Sequence, residues 1–145
     1  MVITTAQHLR VLPGVFRVER AVDEAAALAS SWISLVRAPE GLTVVRAVDE
    51  RADGASGERW KALYSGDAAH ALDLPGMLAG LIGPLADGGV PVFVASTYDA
   101  DLVLVPEGRI VEALAVLRSA GHRADERAGE PGEPGEPGES GVSGR

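Results

Sequence analysis

Apolar and polar positions alternate in short runs through the first half of the chain and turn to a helical period in the second. Leu9 to Leu12 is an apolar run closed by Pro13-Gly14, a turn pair. Val15 to Glu19 then alternates, with Val15, Arg17 and Glu19 on one side and Phe16 and Val18 on the other, the period of a half-buried strand. Asp23 to Ala29 is alanine-rich with two acids at its start, which predicts a helix. Trp32 to Val36 and Leu42 to Val48 predict two strands joined by the turn Ala38-Pro39-Glu40-Gly41. The second strand is rich in β-branched residues, at Thr43, Val44, Val45 and Val48. Asp49 to Gly57 reads as a polar loop.

The second half has clearer elements. Trp60 to Tyr64 is a short strand, and Ser65 to Ala71 a connection. Asp73-Leu74-Pro75-Gly76 leads into a helix from Met77 to Ala86, with proline near its start and glycines past its end. Val90 to Ala95 is apolar on both faces and so predicts a central strand. After the polar turn Ser96 to Asp101, Leu102 to Val105 predicts a strand that stops at Pro106. Glu107 to Ala120 predicts a helix, with Ile110, Leu114 and Leu117 on its apolar face and Gly121 closing it. Strand, helix, strand, strand, helix is most of the βαββαβ order of the ferredoxin-like α+β fold. Its open sheet face needs a second layer, which the strand-rich first half or a homodimer would supply.

Composition narrows the class. The chain has 145 residues, 46% of them hydrophobic, no cysteine and a net charge of -8. Length and apolar content fit one ordinary domain or two small units sharing a core. The absence of cysteine excludes disulfide scaffolds, thiolate metal sites and a cysteine nucleophile, and agrees with a cytoplasmic address. From Ala124 to Arg145 six acids stand against two bases, so half the net charge lies in that stretch. Gly129-Glu-Pro repeats three times there. Glycine every third residue is the collagen pattern, but three acidic triplets cannot hold a triple helix, so a disordered tail is expected. The body is mildly acidic with scattered bases, which argues against nucleic acid as a partner. No apolar run is long enough to span a membrane, and Met1 to Arg10 lacks the features of a secretory signal.

Few residues offer chemistry. His8, His70 and His122 are far apart and have no ligand-spaced partners, so no metal site is expected. His122 reads as a favourable charge at a helix C-terminus. Asp99 and Asp101 stand two apart at the mouth of a strand and would project to one side of an extended chain. They fit a divalent cation, an acid–base pair or an amine, or else a turn aspartate beside a merely solvated one. Ser96 and Thr97 precede them without a nucleophile elbow or a nearby histidine. Gly76 opens a helix whose N–H groups fit a carboxylate, or else it only lets that helix lie close to the sheet.

The run Leu74-Pro75-Gly76-Met77-Leu78-Ala79 continues with Pro84-Leu85-Ala86-Asp87-Gly88-Gly89-Val90-Pro91-Val92-Phe93. It is followed by Ser96-Thr97-Tyr98-Asp99-Ala100-Asp101-Leu102-Val103-Leu104-Val105 and a helix ending Ala120-Gly121-His122. This resembles ACT domains, and is similar to small bacterial tandem-ACT proteins and to the ACT units of the animal cytosolic arginine sensor. Ser34-Leu35-Val36-Arg37 and Gly41-Leu42-Thr43-Val44-Val45 resemble the first half of the same proteins. The resemblance implies tandem ferredoxin-like βαββαβ units, at 1–57 (incomplete) and 58–123, before a tail at 124–145. The fourth strand after the last helix is missing or very short. It also implies a regulatory sensor that binds a small molecule, an amino acid, without catalysis and without a cofactor, as a cytoplasmic homodimer. By position the glycine loop, Asp73, Leu74, Gly76, Met77 and Leu78, would touch the ligand's backbone-like groups. Ser96, Thr97 and Asp101 would face it from the signature strand, and Asp99 joins them from the reading of the carboxylate pair. The alternatives are a ligand-independent protein–protein interaction module and a metal-dependent enzyme using Asp99 and Asp101.

Overall fold

The computed structural model describes residues 5–54, 57–66 and 75–126. The tail from 127 onward, His70, Asp73 and Leu74 therefore lie outside the described residues. Among the described residues, eight strands form one sheet. They are β1 (His8–Val11), β2 (Phe16–Arg20), β3 (Trp32–Ala38), β4 (Gly41–Ala47), β5 (Trp60–Tyr64), β6 (Phe93–Val94), β7 (Leu102–Pro106) and β8 (Arg123–Asp125). The α-helices among the described residues are α1 (Glu24–Ala29), α2 (Ala79–Asp87) and α3 (Ile110–Ser119), the last entered through a 3₁₀ turn at Glu107–Arg109. The fold is α+β and ferredoxin-like.

The C-terminal half runs β5-α2-β6-β7-α3-β8, and β7 pairs antiparallel with both β5 and β6. One strand in this sheet comes from the other end of the chain. β1 lies between β5 and β8, antiparallel to the first and parallel to the second. Leu9 and Val11 point to the α2–α3 side and are buried there with Leu63, Val103, Val105, Leu81, Leu85, Leu114 and Leu117. The division expected at 57/58 is thus crossed by β1. The fourth strand is present but short. Ala124, 2% exposed, pairs with Leu9, so the sheet takes in the first two residues assigned to the tail.

β2, α1, β3 and β4 form a βαββ stretch with order β3-β4-β2, and it meets the rest where Phe16 pairs with Trp60. No second helix covers its α1 side among the described residues, and the sequence of β2 and β4 explains why. Arg17 and Glu19 alternate away from Phe16 and Val18, and Arg46 lies on the same polar side, leaving little apolar surface there for a helix to bury. The loop after β4 closes that side instead. Arg46 forms ion pairs with Glu19 (3.0 Å) and Asp53 (2.7 Å). The Arg46 guanidinium, with help from the Asp49 N–H, holds the Asp53 carboxyl well below the usual carboxylate range.

The helix-free faces of both halves share one core. Phe16 and Val45 from the first half cluster with Ala62, Leu102 and Leu104 from the second, and Leu12, Val18, Trp60, Tyr64 and Phe93 pack around them. The first half is hydrogen-bonded into the same sheet, and its Phe16 and Val45 help to bury the helix-free face of the second half. One strand differs from expectation. Val90 to Ala95 yields only the two-residue β6, which pairs with β7 alone and so lies at an edge. Pro91 has no N–H to give a ladder, and the Val90 N–H is spent on the Leu85 carbonyl at the end of α2 (2.9 Å).

Candidate functional site

The turn from Ser96 to Asp101 is closed by its own hydroxyls. The Thr97 N–H donates to the Ala100 carbonyl (2.8 Å), and the Ala100 N–H donates back to Thr97 Oγ1 (3.0 Å). Tyr98 and Asp99 are exposed at its tip. Asp101 is turned in and 6% exposed, and its Oδ1 accepts from Ser96 Oγ (3.0 Å). The two carboxylates therefore do not share a side. The strand only begins at Leu102, so the alternation assumed for an extended Asp-x-Asp does not apply. Asp101 is also not the merely solvated group of the simpler reading, and Thr97, not Asp99, builds the turn.

Ser65, at the C-terminal end of β5, ties this turn to the start of the β5–α2 connection. Its N–H donates to the Asp101 carbonyl (3.1 Å), and its Oγ accepts from the Asp101 N–H (3.0 Å). The serine is buried. Beside it the Tyr64 ring lies where a Cβ on Gly66 would be, and the Arg10 guanidinium sits 5.5 Å over that ring.

The far end of the connection is anchored as firmly. Gly76 is exposed at φ +82°, a left-handed conformation that glycine adopts without strain, and no atom crowds its Cα. Met77 is half-buried, and its carbonyl accepts from Gln7 Nε2 (2.8 Å). Leu78 packs on the core beneath α2. The helix starts at Ala79, two residues later than the pattern implied, because Pro75 to Leu78 form turns.

His122 completes this end, and not as the terminal charge expected of it. It is 4% exposed. Its Nδ1 accepts from the Gln7 N–H (3.0 Å), and its Nε2 lies 2.8 Å from the Gly80 carbonyl. Accepting at one nitrogen and donating at the other is the pattern of a neutral imidazole. The cause lies in α2, which contains Pro84. Proline has no N–H to give the carbonyl four residues back, which is that of Gly80. His122 caps the carbonyl that Pro84 leaves open.

Gln7 and Asp101 both stand at the end of the sheet where β5 finishes. Since β1, β5 and β7 are neighbours, about 10 Å separates them across the sheet. The sequence-predicted residues Gly76, Met77, Ser96, Thr97 and Asp101 thus lie at one end of the fold. Leu78 is taken up by packing, Asp99 points to solvent, and Asp73 and Leu74 are outside the described residues. Ser65, Gln7 and His122 were not singled out as site residues. Only the proline inside a helical pattern, with a histidine just past the next helix, signalled one of them.

The sequence model of the ACT domain matches residues 55–119. These residues form an ACT domain. ACT domains are regulatory domains that bind small molecules. No curated protein matches the chain in sequence. Among solved structures, the Vibrio cholerae protein VC0802 is 22% identical over 75% of this chain and 85% of its own, with a TM-score of 0.65. The Agrobacterium tumefaciens protein Atu0741 is 24% identical over 86% of this chain and 96% of its own, with a TM-score of 0.71. A chain from the aspartokinase α and β subunits is 14% identical over 81% of this chain and 99% of its own, with a TM-score of 0.57. At these identities the likeness is one of fold. In the ACT domain, β5 and β7 carry the Ser65–Asp101 link, and β1 reaches it from outside the matched residues. No helix among the described residues is long and apolar enough to cross a membrane.

Proposed function

We propose that this chain is a regulatory sensor that binds an amino acid at the end of the sheet where β5 finishes, and that it catalyses no reaction. The reading rests on the Ser65 hydrogen bonds to Asp101, which bring the root of the β5–α2 connection against the Ser96–Asp101 turn. The glycine turn at Gly76 to Leu78, together with Asp73 and Leu74, would present backbone N–H groups to the ligand carboxylate. Ser96 and Asp101 would supply oxygens for its ammonium group from the turn that Thr97 closes, and Asp99, on the other side of that turn, would join them only if the turn reorganised. Gln7 Oε1, buried and without a hydrogen-bond partner among the described residues, adds an acceptor at the same end. The βαββ stretch is then a second, incomplete unit in tandem, dividing from the ACT domain near residue 57. The protein would work in the cytoplasm as a homodimer whose arrangement the ligand biases by mass action.

Isothermal calorimetry of the full chain against the twenty amino acids tests this. A saturable heat is expected for one or a few of them, and Gly76→Val should weaken it while leaving the unfolding transition cooperative. No heat with any amino acid at about millimolar concentration would remove the amino-acid reading.

A further inference from the structure

Among the described residues the sheet has three edge strands, and they differ in how open they are. An edge strand offers unpaired N–H and C=O groups to any second strand, and proteins blunt such edges with short length, charge or proline. β8 is three residues long, with Arg123 and Asp125 exposed on it. β6 is two residues long and closely follows Pro91. β3 is seven residues long, pairs with β4 alone and has no proline or lysine within it. Its one charge is Arg37, and that guanidinium is drawn onto α1 by two hydrogen bonds to the Glu24 carboxylate (2.8 and 3.1 Å). β3 is therefore a long edge without a guard.

The same edge is apolar. Four of the seven large hydrophobic side chains exposed among the described residues are Leu28, Trp32, Ile33 and Val36. Leu28 lies one helical turn after Glu24, on the α1 flank beside β3, and the Trp32 indole N–H donates to the Leu28 carbonyl (3.2 Å). Trp32 is opposite Arg46, on the α1 side of the sheet, and Val36 is opposite Thr43, on the other side. Both sides of this edge thus end in exposed apolar surface.

We propose that a second copy of this chain pairs here, β3 antiparallel to β3, so that one sheet runs through both protomers. The inference rests on the homodimer proposed above and gives it a surface. Self-complementarity favours a second copy over an unlike strand. A two-fold axis normal to the sheet, near Leu35 at the middle of the strand, keeps both α1 helices on one side and sets the Trp32 end of each strand beside the Arg37 end of the other. The Arg37 guanidinium, already neutralised by Glu24, then lies by the other copy's indole, a favourable contact that covers the apolar flank. On the other side each Val36 is diagonal to its counterpart, within reach of side-chain contact. Like charges stay apart. Four residues of strand separate the two Arg37 positions, about 14 Å, which exceeds the screening length of about 8 Å at physiological salt.

Sedimentation velocity of the full chain without added amino acid, over roughly 1–200 μM, tests this. A seam of one strand and one short helix is at the small end of specific interfaces, so a dimer that dissociates on dilution is expected. Val36→Lys brings two ammonium groups to the seam and should weaken the dimer tenfold or more while the circular dichroism spectrum is kept. The chain has no cysteine, so a single introduced thiol reports on its own position. At least one of Ser34→Cys, Leu35→Cys and Val36→Cys, made separately, should form a covalent dimer on oxidation, since opposed residues of an antiparallel pair are at disulfide distance. Val111→Cys, exposed on α3, should not. A chain that stays monomeric throughout, a dimer undiminished by Val36→Lys, or crosslinking no greater on β3 than at Val111 would each overturn the proposal. A dimer that ignores changes in β3 would leave the proposed homodimer standing on another surface, and the amino-acid heat, measured separately, is decided by neither outcome.

Discussion

Removing the His122 side chain should cost more in the presence of Pro84 than in its absence. His122→Leu keeps most of the ring's volume and removes both nitrogens. Two groups then lose their partners: the Gln7 N–H in a buried contact and the Gly80 carbonyl in a part-buried one. A fully buried orphan costs about 1–3 kcal/mol and a part-buried one falls at the low end of that range, so a total of about 2–4 kcal/mol is expected. With Pro84→Ala in place, the alanine N–H reaches the Gly80 carbonyl as the next bond of the α2 ladder, and only the Gln7 N–H is orphaned. The same His122→Leu change should then cost about 1–3 kcal/mol. Urea unfolding of the four proteins of this cycle, followed by far-UV circular dichroism, gives the coupling as the difference, expected to be about 1 kcal/mol. Pro84→Ala alone should stabilise, because proline is disfavoured inside a helix by up to about 3 kcal/mol. A cost of His122→Leu equal in the two backgrounds to within about 0.3 kcal/mol would refute the claim that the histidine serves the carbonyl freed by the proline.

Two further outcomes test the packing and the ion pairs. At Gly88 a Cβ would come within 2.9 Å of Val116 Cγ1, so Gly88→Ala should shift thermal unfolding downward. Asp53 has its carboxyl pKa depressed by Arg46 and the Asp49 N–H, so its contribution is present in full above the ordinary carboxylate range and fades as pH falls towards the depressed value. The stability gap between wild type and Asp53→Asn should therefore be constant near neutrality and shrink below about pH 4 in urea titrations, and a gap unchanged down to about pH 3 would refute the assignment.

The strands of the ACT domain were legible because their residues carry their own burial pattern. Trp60 to Tyr64 and Leu102 to Val105 sit where the apolar runs place them, and α3 follows its stripe of Ile110, Leu114 and Leu117. β6 is shorter than its pattern implies. Apolarity on both faces points to a central strand, but Pro91 and the end of α2 claim the backbone around it. The insertion of β1 between β5 and β8 could not be read at all. His8 to Val11 has the same alternation whichever sheet it joins, and the choice is made by the three-dimensional core around Leu9 and Val11. The candidate site was legible as two stretches, at Gly76 and at Ser96 to Asp101. What joins them was not, since Ser65 is an ordinary polar residue at a strand end and nothing in its type shows that Asp101 faces it. Strand alternation puts Asp101 on the wrong side because the chain there is a turn held by Thr97, for which alternation gives no guidance.

The inserted strand gives the N-terminal half a direct hold on the candidate ligand turn. Gln7 immediately precedes β1, donates through its side chain to Met77, through its N–H to His122, and accepts at its own carbonyl from the Arg123 N–H (2.9 Å). Those three bonds join the turn before α2 to the start of β1 and the start of β8. β1 continues through Pro13-Gly14 into β2, whose Phe16 is buried in the core shared by the two helix-free faces. A ligand that reset the Gly76–Leu78 turn would therefore pull on a strand that both halves share. Movement there would be opposed by burial of Leu9 and Val11 on one face and of Phe16 on the other. Such a two-sided anchorage favours two discrete arrangements over a continuous drift, because close-packed cores deform poorly. On the proposed reading, this is how occupancy at one end of the sheet would be felt across β2 and β4, at the edge strand β3, whose Trp32, Ile33 and Val36 stand exposed.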